Sequence, residues 1–551
     1  MPVVNFKYSD LCDLIGKEVP KDTLIERIPM IGADMHDAGG TGDDVSVEFF
    51  PDRPDLYSVE GLARSLRAFL GTEPGMKEYE VHDTDITTNV DVSVDDVRPY
   101  ILCATVFNIG ITDDFLRSLM EIQEKLHMTL GRKRSKIAIG VHDMDKTVPP
   151  FTYKALRPKE ISFVPLAKTE KWNLEEILEK HEKGADYAHL LAGKDRYPII
   201  LDSKGNVLSF PPIINSALTA VTTDTKNLFI DVTGTDMRTV KGALNILVTA
   251  LAERGGSIGT VRMKGSIKTN SPDMTPSEHT INTKECERFL GRTIGAEGIV
   301  EALRKMGLNA LWKDDNITVL VPPTRLDIMH DVDIYEDVAT GHGFENFGSE
   351  HILTQTSGQK SDITMIFDRL RDVMIGSGYT EVTTLTLSSE NDEFWISGLP
   401  EENVAIVRNP INEDQTCLRS SLLPSVMRII RRNKHRDLPQ RVFEIGDAVV
   451  DAKRRHRLCA VVANSKTSFT EMKSLVESIL KEMRIQYRIR PCSYGAFIGG
   501  RGAEVVIGDI SIGYFGEMAP QIITNFGANY PVMFFEMDIS EVAKKLSVEL
   551  F

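Results

Sequence analysis

Leu228-Phe229-Ile230-Asp231-Val232-Thr233-Gly234-Thr235-Asp236 is the stretch that decides the architecture. Leu228 to Val232 has the length and apolar character of a buried strand, interrupted only by Asp231, and it runs into a Thr/Gly/Asp loop. Met237 to Arg254 then reads as one long helix, with Thr235 or Asp236 placed to cap it and Gly255-Gly256 to stop it. A strand feeding such a helix is the unit of a mixed α/β domain. Ligand-binding residues in such domains gather where strands end. A carboxylate inside an apolar strand is costly unless it has a partner, so Asp231 should have one. Asp231, with Thr233 as a neighbouring polar group, is the candidate site of this segment.

Working outward, Ile137 to Val141 and Tyr197 to Leu201 are further strand candidates, and residues 91–270 form one mixed α/β block. Before it, residues 1–90 read as an α+β module. That module has a helix from Ser9 to Ile15, a loop Gly39-Gly40-Thr41-Gly42-Asp43-Asp44, a strand Val45 to Phe49, and a helix from about Ser58 to Leu70 capped by Asp55 or Ser58. After it, residues 271–350 read as helix, helix, strand and helix (Thr283 to Leu290, Ala296 to Met306, Ile317 to Val321, and from about Asp333), a winged-helix-like order. Residues 351–551 carry a helix Ile363 to Ile375 and strands Glu381 to Leu387, Arg441 to Val450 and Leu458 to Ala463. The fold class is therefore multidomain α+β.

Composition narrows the function classes. At 551 residues the chain is too long for one core. No apolar run reaches the roughly 18 residues of a membrane span, and the N-terminus lacks a secretory pattern. The six cysteines form no CxxC pair, which argues against a zinc knuckle and for a reducing, cytoplasmic setting. The net charge of −16 is concentrated in residues 1–100, which hold 9 Lys+Arg against 21 Asp+Glu. Any nucleic-acid surface must be local or supplied by a partner.

Two charged segments carry chemistry. In Gly131-Arg132-Lys133-Arg134-Ser135-Lys136, four cations within six residues read either as a solvated turn or as a phosphate contact. In Arg325-Leu326-Asp327-Ile328-Met329-His330-Asp331-Val332-Asp333-Ile334-Tyr335-Glu336-Asp337, the carboxylates of Asp327, Asp333, Glu336 and Asp337 invite a cation. Asp333, Glu336 and Asp337 lie at i, i+3 and i+4 and share a helix face, while Asp327 lies in the extended stretch after Pro322-Pro323. Asp333 and Glu336 are also explained by a D-x-x-E helix start, which accounts for Asp337 less well and Asp327 not at all.

Taken together these segments resemble the β subunits of phenylalanyl-tRNA synthetases, archaeal/eukaryotic type. The resemblance is carried by Phe50-Pro51-Asp52-Arg53-Pro54-Asp55-Leu56-Tyr57-Ser58-Val59-Glu60-Gly61, by Gly131 to Lys146, by the Asp231 strand and the carboxylate segment, and by Leu418-Arg419-Ser420-Ser421 with Arg441-Val442-Phe443-Glu444-Ile445-Gly446. It covers essentially the whole chain in the family's order. It implies an editing domain at 91–270, a winged-helix-like module at 271–350 with a metal site, and a class II synthetase-like antiparallel sheet with helices at 351–551. The last is expected to be catalytically silent, because 511–540 lacks the arginine that holds ATP in true class II sites. The basic run around Arg428, Arg431, Arg432, Lys434, His435 and Arg436 falls in this module. The resemblance further implies Mg²⁺ at Asp327, Asp333, Glu336 and Asp337, editing of Tyr-tRNA at Asp231 and Thr233, a tRNA partner, and an α subunit in an (αβ)₂ heterotetramer. There is no membrane partner in this picture. The rival is a non-catalytic nucleic-acid-binding scaffold, which would purify as an RNA-binding monomer without a synthetase-type partner.

Overall fold

The computed structural model describes residues 2–37, 42–351 and 356–545; Gly39, Gly40 and Thr41 of the expected glycine loop lie outside them. Two compact units emerge, Met1–His351 and Ile352–Phe551.

In the first unit the decisive strand runs Leu228–Gly234 and every one of its residues is buried. It is antiparallel to Tyr100–Phe107 on one side and to Ile137–Asp143 on the other, within an eleven-stranded mixed sheet. Burial on both faces explains the near-continuous apolar run. Helix Met237–Glu253 follows, capped by Asp236, whose Oδ1 accepts the Thr239 N–H at 2.8 Å. Pairing from three separated segments places Asp231 opposite Cys103 and Gly140.

The boundary expected near residue 90 does not separate two cores. One hydrophobic cluster runs from Val4 and Leu11 through Leu62 to Phe229, Leu247 and Met263. The N-terminal strands Val3–Lys7, Ala33–Asp37 and Asp44–Phe49 form their own antiparallel sheet. Helix Val59–Phe69, N-capped by Ser58, packs into the shared core. In Phe50 to Tyr57 the buried Arg53 and Asp55 form a two-bond fork at 2.9 Å each. Asp55 is thus an ion-pair partner rather than the cap.

Residues 277–342 add strands to the expected helices: Ser277–Asn282, Asn309–Lys313 and Asn316–Val321 form a three-stranded antiparallel sheet. Helices Thr283–Leu290, Gly295–Lys305 and Asp331–His342 accompany it, and the segment has its own core around Leu303, Val319 and Val338.

The second unit is built on a seven-stranded sheet, antiparallel except where Thr380–Glu381 runs parallel to Gln440–Val450. Strand Lys453–Ala463 shows the period-2 logic of a sheet buried on both faces. Leu458, Ala460 and Val462 join the cluster under helices Asp362–Gly376 and Phe469–Glu482, while Cys459, Val461 and Ala463 join the cluster under helix Leu423–Arg432. The strand expected over Glu381 to Leu387 breaks into Thr380–Glu381 and Leu387–Ser388. Between them Thr384 leaves the ladder to bond the buried Glu444 at 2.6 Å. Among the described residues no helix is long and apolar enough to cross a membrane.

Candidate functional site

Asp231 is 1% exposed, and its partner is a histidine. Its Oδ2 lies 2.8 Å from Nε2 of His142, and Nδ1 of that ring lies 2.8 Å from Oγ1 of Thr219. A ring protonated on Nε2 satisfies both neighbours, donating to the carboxylate and accepting from the threonine hydroxyl. The other oxygen of Asp231 takes no hydrogen bond among the described residues.

Gly140 makes room for this arrangement. A Cβ built there would lie 2.7 Å from His142 Nε2 and inside contact distance of Asp231 Oδ2. A glycine in a strand interior marks such a close approach. The carboxylate therefore lies across Gly140 and opens onto a cavity of about 360 Å³ whose wall includes His127, Arg134, Gly140, Ser209, Asn215 and Asp231. That volume is in the range of small-molecule sites. Ser209 donates to Asn215 Oδ1 at 3.0 Å. Buried His127 accepts the Ile139 N–H on Nε2 at 2.8 Å, and burial lowers its pKa to about 4. It is thus neutral at pH 7.

Thr233 is brought next to Asp231 on the same strand face but does not line the cavity. Its hydroxyl accepts from Nε of the buried Arg98 at 2.9 Å, and its carbonyl accepts from Nη2 at 2.9 Å. Burial pulls the Arg98 guanidinium down to a pKa of about 10. The basic run splits in two. Arg132, Lys133 and Arg134 have φ of 45°, 54° and 63°, and this left-handed turn leaves the first two exposed. It sends Arg134 inward to the carbonyls of Pro212 (3.2 Å) and Ile213 (2.9 Å), to Glu124 at 3.2 Å, and over the Tyr187 ring at 4.6 Å. Arg134 is a cavity wall, not a free phosphate contact.

The carboxylate segment already holds a cation, and it is Arg325. Its Nη2 binds Asp327 at 2.7 Å and Asp337 at 2.8 Å, while Nε binds Asp327 at 2.9 Å. Asp333 Oδ2 accepts the N–H groups of Met329 and His330, each at 2.7 Å, as a helix-start cap. Glu336 is exposed. Among the described residues no three His, Cys, Asp or Glu side chains converge to hold a metal. As placed, the four expected ligands do not fit Mg²⁺.

In the second unit the polar groups near Leu418-Arg419-Ser420-Ser421 are engaged internally. Arg419 pairs with Glu444 at 2.9 Å, both side chains almost fully buried. Glu536 collects Leu422 N at 2.7 Å, Ser421 Oγ at 2.8 Å, Tyr514 OH at 3.0 Å and Arg457 at 3.3 Å. Of the basic stretch, Arg428 pairs with Asp392 and Arg441 with Glu471, while Arg431, Arg432, Lys434, His435 and Arg436 are exposed.

Three family models match: the B3/4 domain over residues 91–251, the tRNA synthetase B5 domain over 279–344, and the phenylalanyl tRNA synthetase beta chain CLM domain over 351–539. The phenylalanine–tRNA ligase beta subunit of Methanothrix thermoacetophila is 46% identical over 542 residues, covering 98% of this chain and all of that one. The chain belongs to the phenylalanyl-tRNA synthetase beta-subunit family. The beta subunit of Methanosphaera stadtmanae is 42% identical, with 98% and 100% coverage. A crystal structure of an N-terminal fragment of the beta subunit from Pyrococcus horikoshii matches with a TM-score of 0.60 and 41% identity, covering 62% of this chain and 100% of the fragment. Within this beta-subunit family the Asp231 cavity falls in the B3/4 match and Arg325 with its carboxylates in the B5 match.

His142, Gly140, Thr219, Ser209 and Arg98 are the site residues that sequence reasoning missed. Gly140 had a signal, a lone glycine inside an apolar strand. His142 lies in the stretch Gly131 to Lys146 without any local mark of its role.

Proposed function

We propose that the Asp231 cavity is an editing site that removes tyrosine from mischarged tRNA. The chain itself is a phenylalanine–tRNA ligase beta subunit and serves the charging of tRNA with phenylalanine. Tyrosine exceeds phenylalanine by one hydroxyl, and an apolar synthetic pocket rejects an added hydroxyl by only about 100-fold. A second site that binds the hydroxyl selects the error instead. The observation that carries this reading is the carboxylate of Asp231, held by His142 across Gly140, with one oxygen unclaimed at a cavity wall. A phenol would donate to that oxygen, whereas phenylalanine would leave it unpaired in a dry site. Thr233 supports the site through Arg98 rather than by touching the phenol. The test is Asp231→Asn in the holoenzyme. Asparagine keeps the shape and an acceptor but loses the charge, so Tyr-tRNA deacylation should fall about tenfold with phenylalanine charging unchanged. Deacylation at the parental rate removes Asp231 from recognition.

The second unit is read as a silent class II-like module. Arg419 is matched by Glu444 and Arg457 by Glu536, so these charged groups are engaged within the module rather than free for a nucleotide. The purified chain should therefore show no phenylalanine-dependent ATP–pyrophosphate exchange, and robust exchange without an α subunit overturns this. Residues 277–342, with their three-stranded sheet and helices, support the winged-helix-like reading. The family's ligase is Mg²⁺-dependent in general, and a beta subunit implies an alpha subunit and tRNA as partners. An (αβ)₂ assembly is consistent with the exposed Leu385, Trp395, Ile406 and Ile411 of the second unit, and sedimentation of co-expressed subunits measures it. All six cysteines are free, which supports a cytoplasmic setting that cell fractionation can check. Mg²⁺ at Asp327, Asp333, Glu336 and Asp337 rests on the resemblance alone.

A further inference from the structure

The first unit holds another cavity, of about 300 Å³, that shares no lining residue with the Asp231 cavity. Its wall is formed by the helix Val59–Phe69, the turn at 75–79 and the extended segment around Pro322-Pro323, and it carries four arginines: Arg53, Arg64, Arg67 and Arg325. Two of these are matched. Arg53 forks onto Asp55, and Arg67 binds Glu73 at 3.0 Å, Glu253 at 2.6 Å and the Leu14 carbonyl at 2.7 Å.

The other two keep unclaimed N–H groups. Arg325 holds Asp327 and Asp337 on its Nε and Nη2 edge, but its Nη1 is buried without a partner, and the side chain is only 4% exposed. Arg64 makes no ion pair among the described residues: Nη1 meets the Tyr79 hydroxyl at 3.2 Å and Nη2 the Asp55 carbonyl at 3.5 Å. The wall's own carboxylates are engaged elsewhere. Asp55 is taken by Arg53, Glu73 by Arg67 and Lys77, and Glu78 is exposed to solvent. Guanidinium N–H groups left without a strong acceptor at a buried wall are costly and favour a ligand that supplies one. Much of the remaining lining is apolar, including Met274, Met306, Leu320 and Pro323.

We propose that this cavity binds a small organic carboxylate. Its headgroup would meet Arg64, beside Arg325 with its unpartnered Nη1, and a short apolar body would lie against Met274, Met306 and Leu320. A planar carboxylate suits guanidinium edges, and the apolar lining favours a ligand with a hydrocarbon body over a bare, strongly hydrated ion.

The test is isothermal titration of the co-expressed αβ holoenzyme with hexanoate, and in parallel with inorganic phosphate. Hexanoate should bind saturably with a Kd below about 1 mM, and phosphate should bind more weakly. Arg64→Met should weaken hexanoate at least about tenfold. Ser65→Phe, which adds bulk at the wall, should abolish the same binding event while leaving both arginines in the sequence. The proposal is overturned by absence of saturable binding, by binding that both variants leave unchanged, or by phosphate binding tighter than hexanoate.

Discussion

Replacing Gly140 by valine should silence tyrosine removal while phenylalanine charging continues. Gly140 faces Asp231 directly in the register of strands Ile137–Asp143 and Leu228–Gly234. Its missing side chain is the seat of the carboxylate: even one Cβ would lie 2.7 Å from His142 Nε2 and inside contact distance of Asp231 Oδ2. Neither neighbour can yield cheaply. His142 is fully buried and fixed on its far side by Thr219, and Asp231 sits in the middle of a strand paired on both edges. The two methyls of valine must therefore break the Asp231–His142 bond and enter the cavity. Loss of a charged hydrogen bond is worth about 1.5–3 kcal/mol, which is roughly 10- to 150-fold, and blocking the cavity adds to it. Deacylation of Tyr-tRNA should fall at least about 100-fold, more than for Asp231→Asn, which keeps the side chain in its seat. Charging of tRNA with phenylalanine serves as the internal control for folding and assembly. Deacylation within twofold of the parent, in a holoenzyme that charges normally, would show that the carboxylate has no part in editing.

That site was half legible in the sequence. A lone aspartate in an apolar strand announces that it has a partner, and Asp231 does. The partner was not legible, because His142 stands 89 positions earlier and meets Asp231 only through cross-strand pairing. Thr233 shares the face of Asp231 by the two-residue strand period, but the sequence could not show that Arg98 would claim its hydroxyl. The run at 131–136 misled for a different reason. Composition sees four cations, whereas three consecutive left-handed residues turn Arg134 into the wall and leave Arg132 and Lys133 outside. Helices were read well where caps were local, as at Asp236 and Ser58. The strand at Glu381 to Leu387 failed because Thr384 is pulled from the ladder by Glu444 and Arg419, which lie 60 and 35 positions away. That the segments on either side of residue 90 share one core was not legible, because such sharing leaves no mark in the linker.

Arg325→Met is expected to be strongly destabilising, and it separates the two accounts of the carboxylate segment. Neighbouring buried carboxylates need a cation, and within this chain Asp327 and Asp337 have one in Arg325. The Asp337 side chain is 7% exposed and that of Asp327 16%, so removing the guanidinium strands negative charge in a largely dry environment. Breaking a buried ion pair by deleting one partner costs about 3–5 kcal/mol, much of it the desolvation of the charge left behind. Denaturant unfolding of the full chain should show a loss of this size for Arg325→Met, and chelator should not alter the parental midpoint. The double variant Arg325→Met, Asp337→Asn should recover part of the loss, because one stranded charge is gone. If magnesium were instead the cation that holds these groups, Arg325→Met would be mild, chelator would destabilise the parent, and Asp327→Asn and Asp333→Asn would each weaken association with the α subunit in a Mg²⁺-dependent way. Asp333→Asn is the sharper of those two changes. Its carboxylate binds the amides of Met329 and His330, and asparagine can still accept there, so a helix cap survives the substitution while a metal ligand's charge does not. Normal assembly of Asp333→Asn with and without chelator, beside a destabilised Arg325→Met, leaves the arginine as the organising cation of this segment.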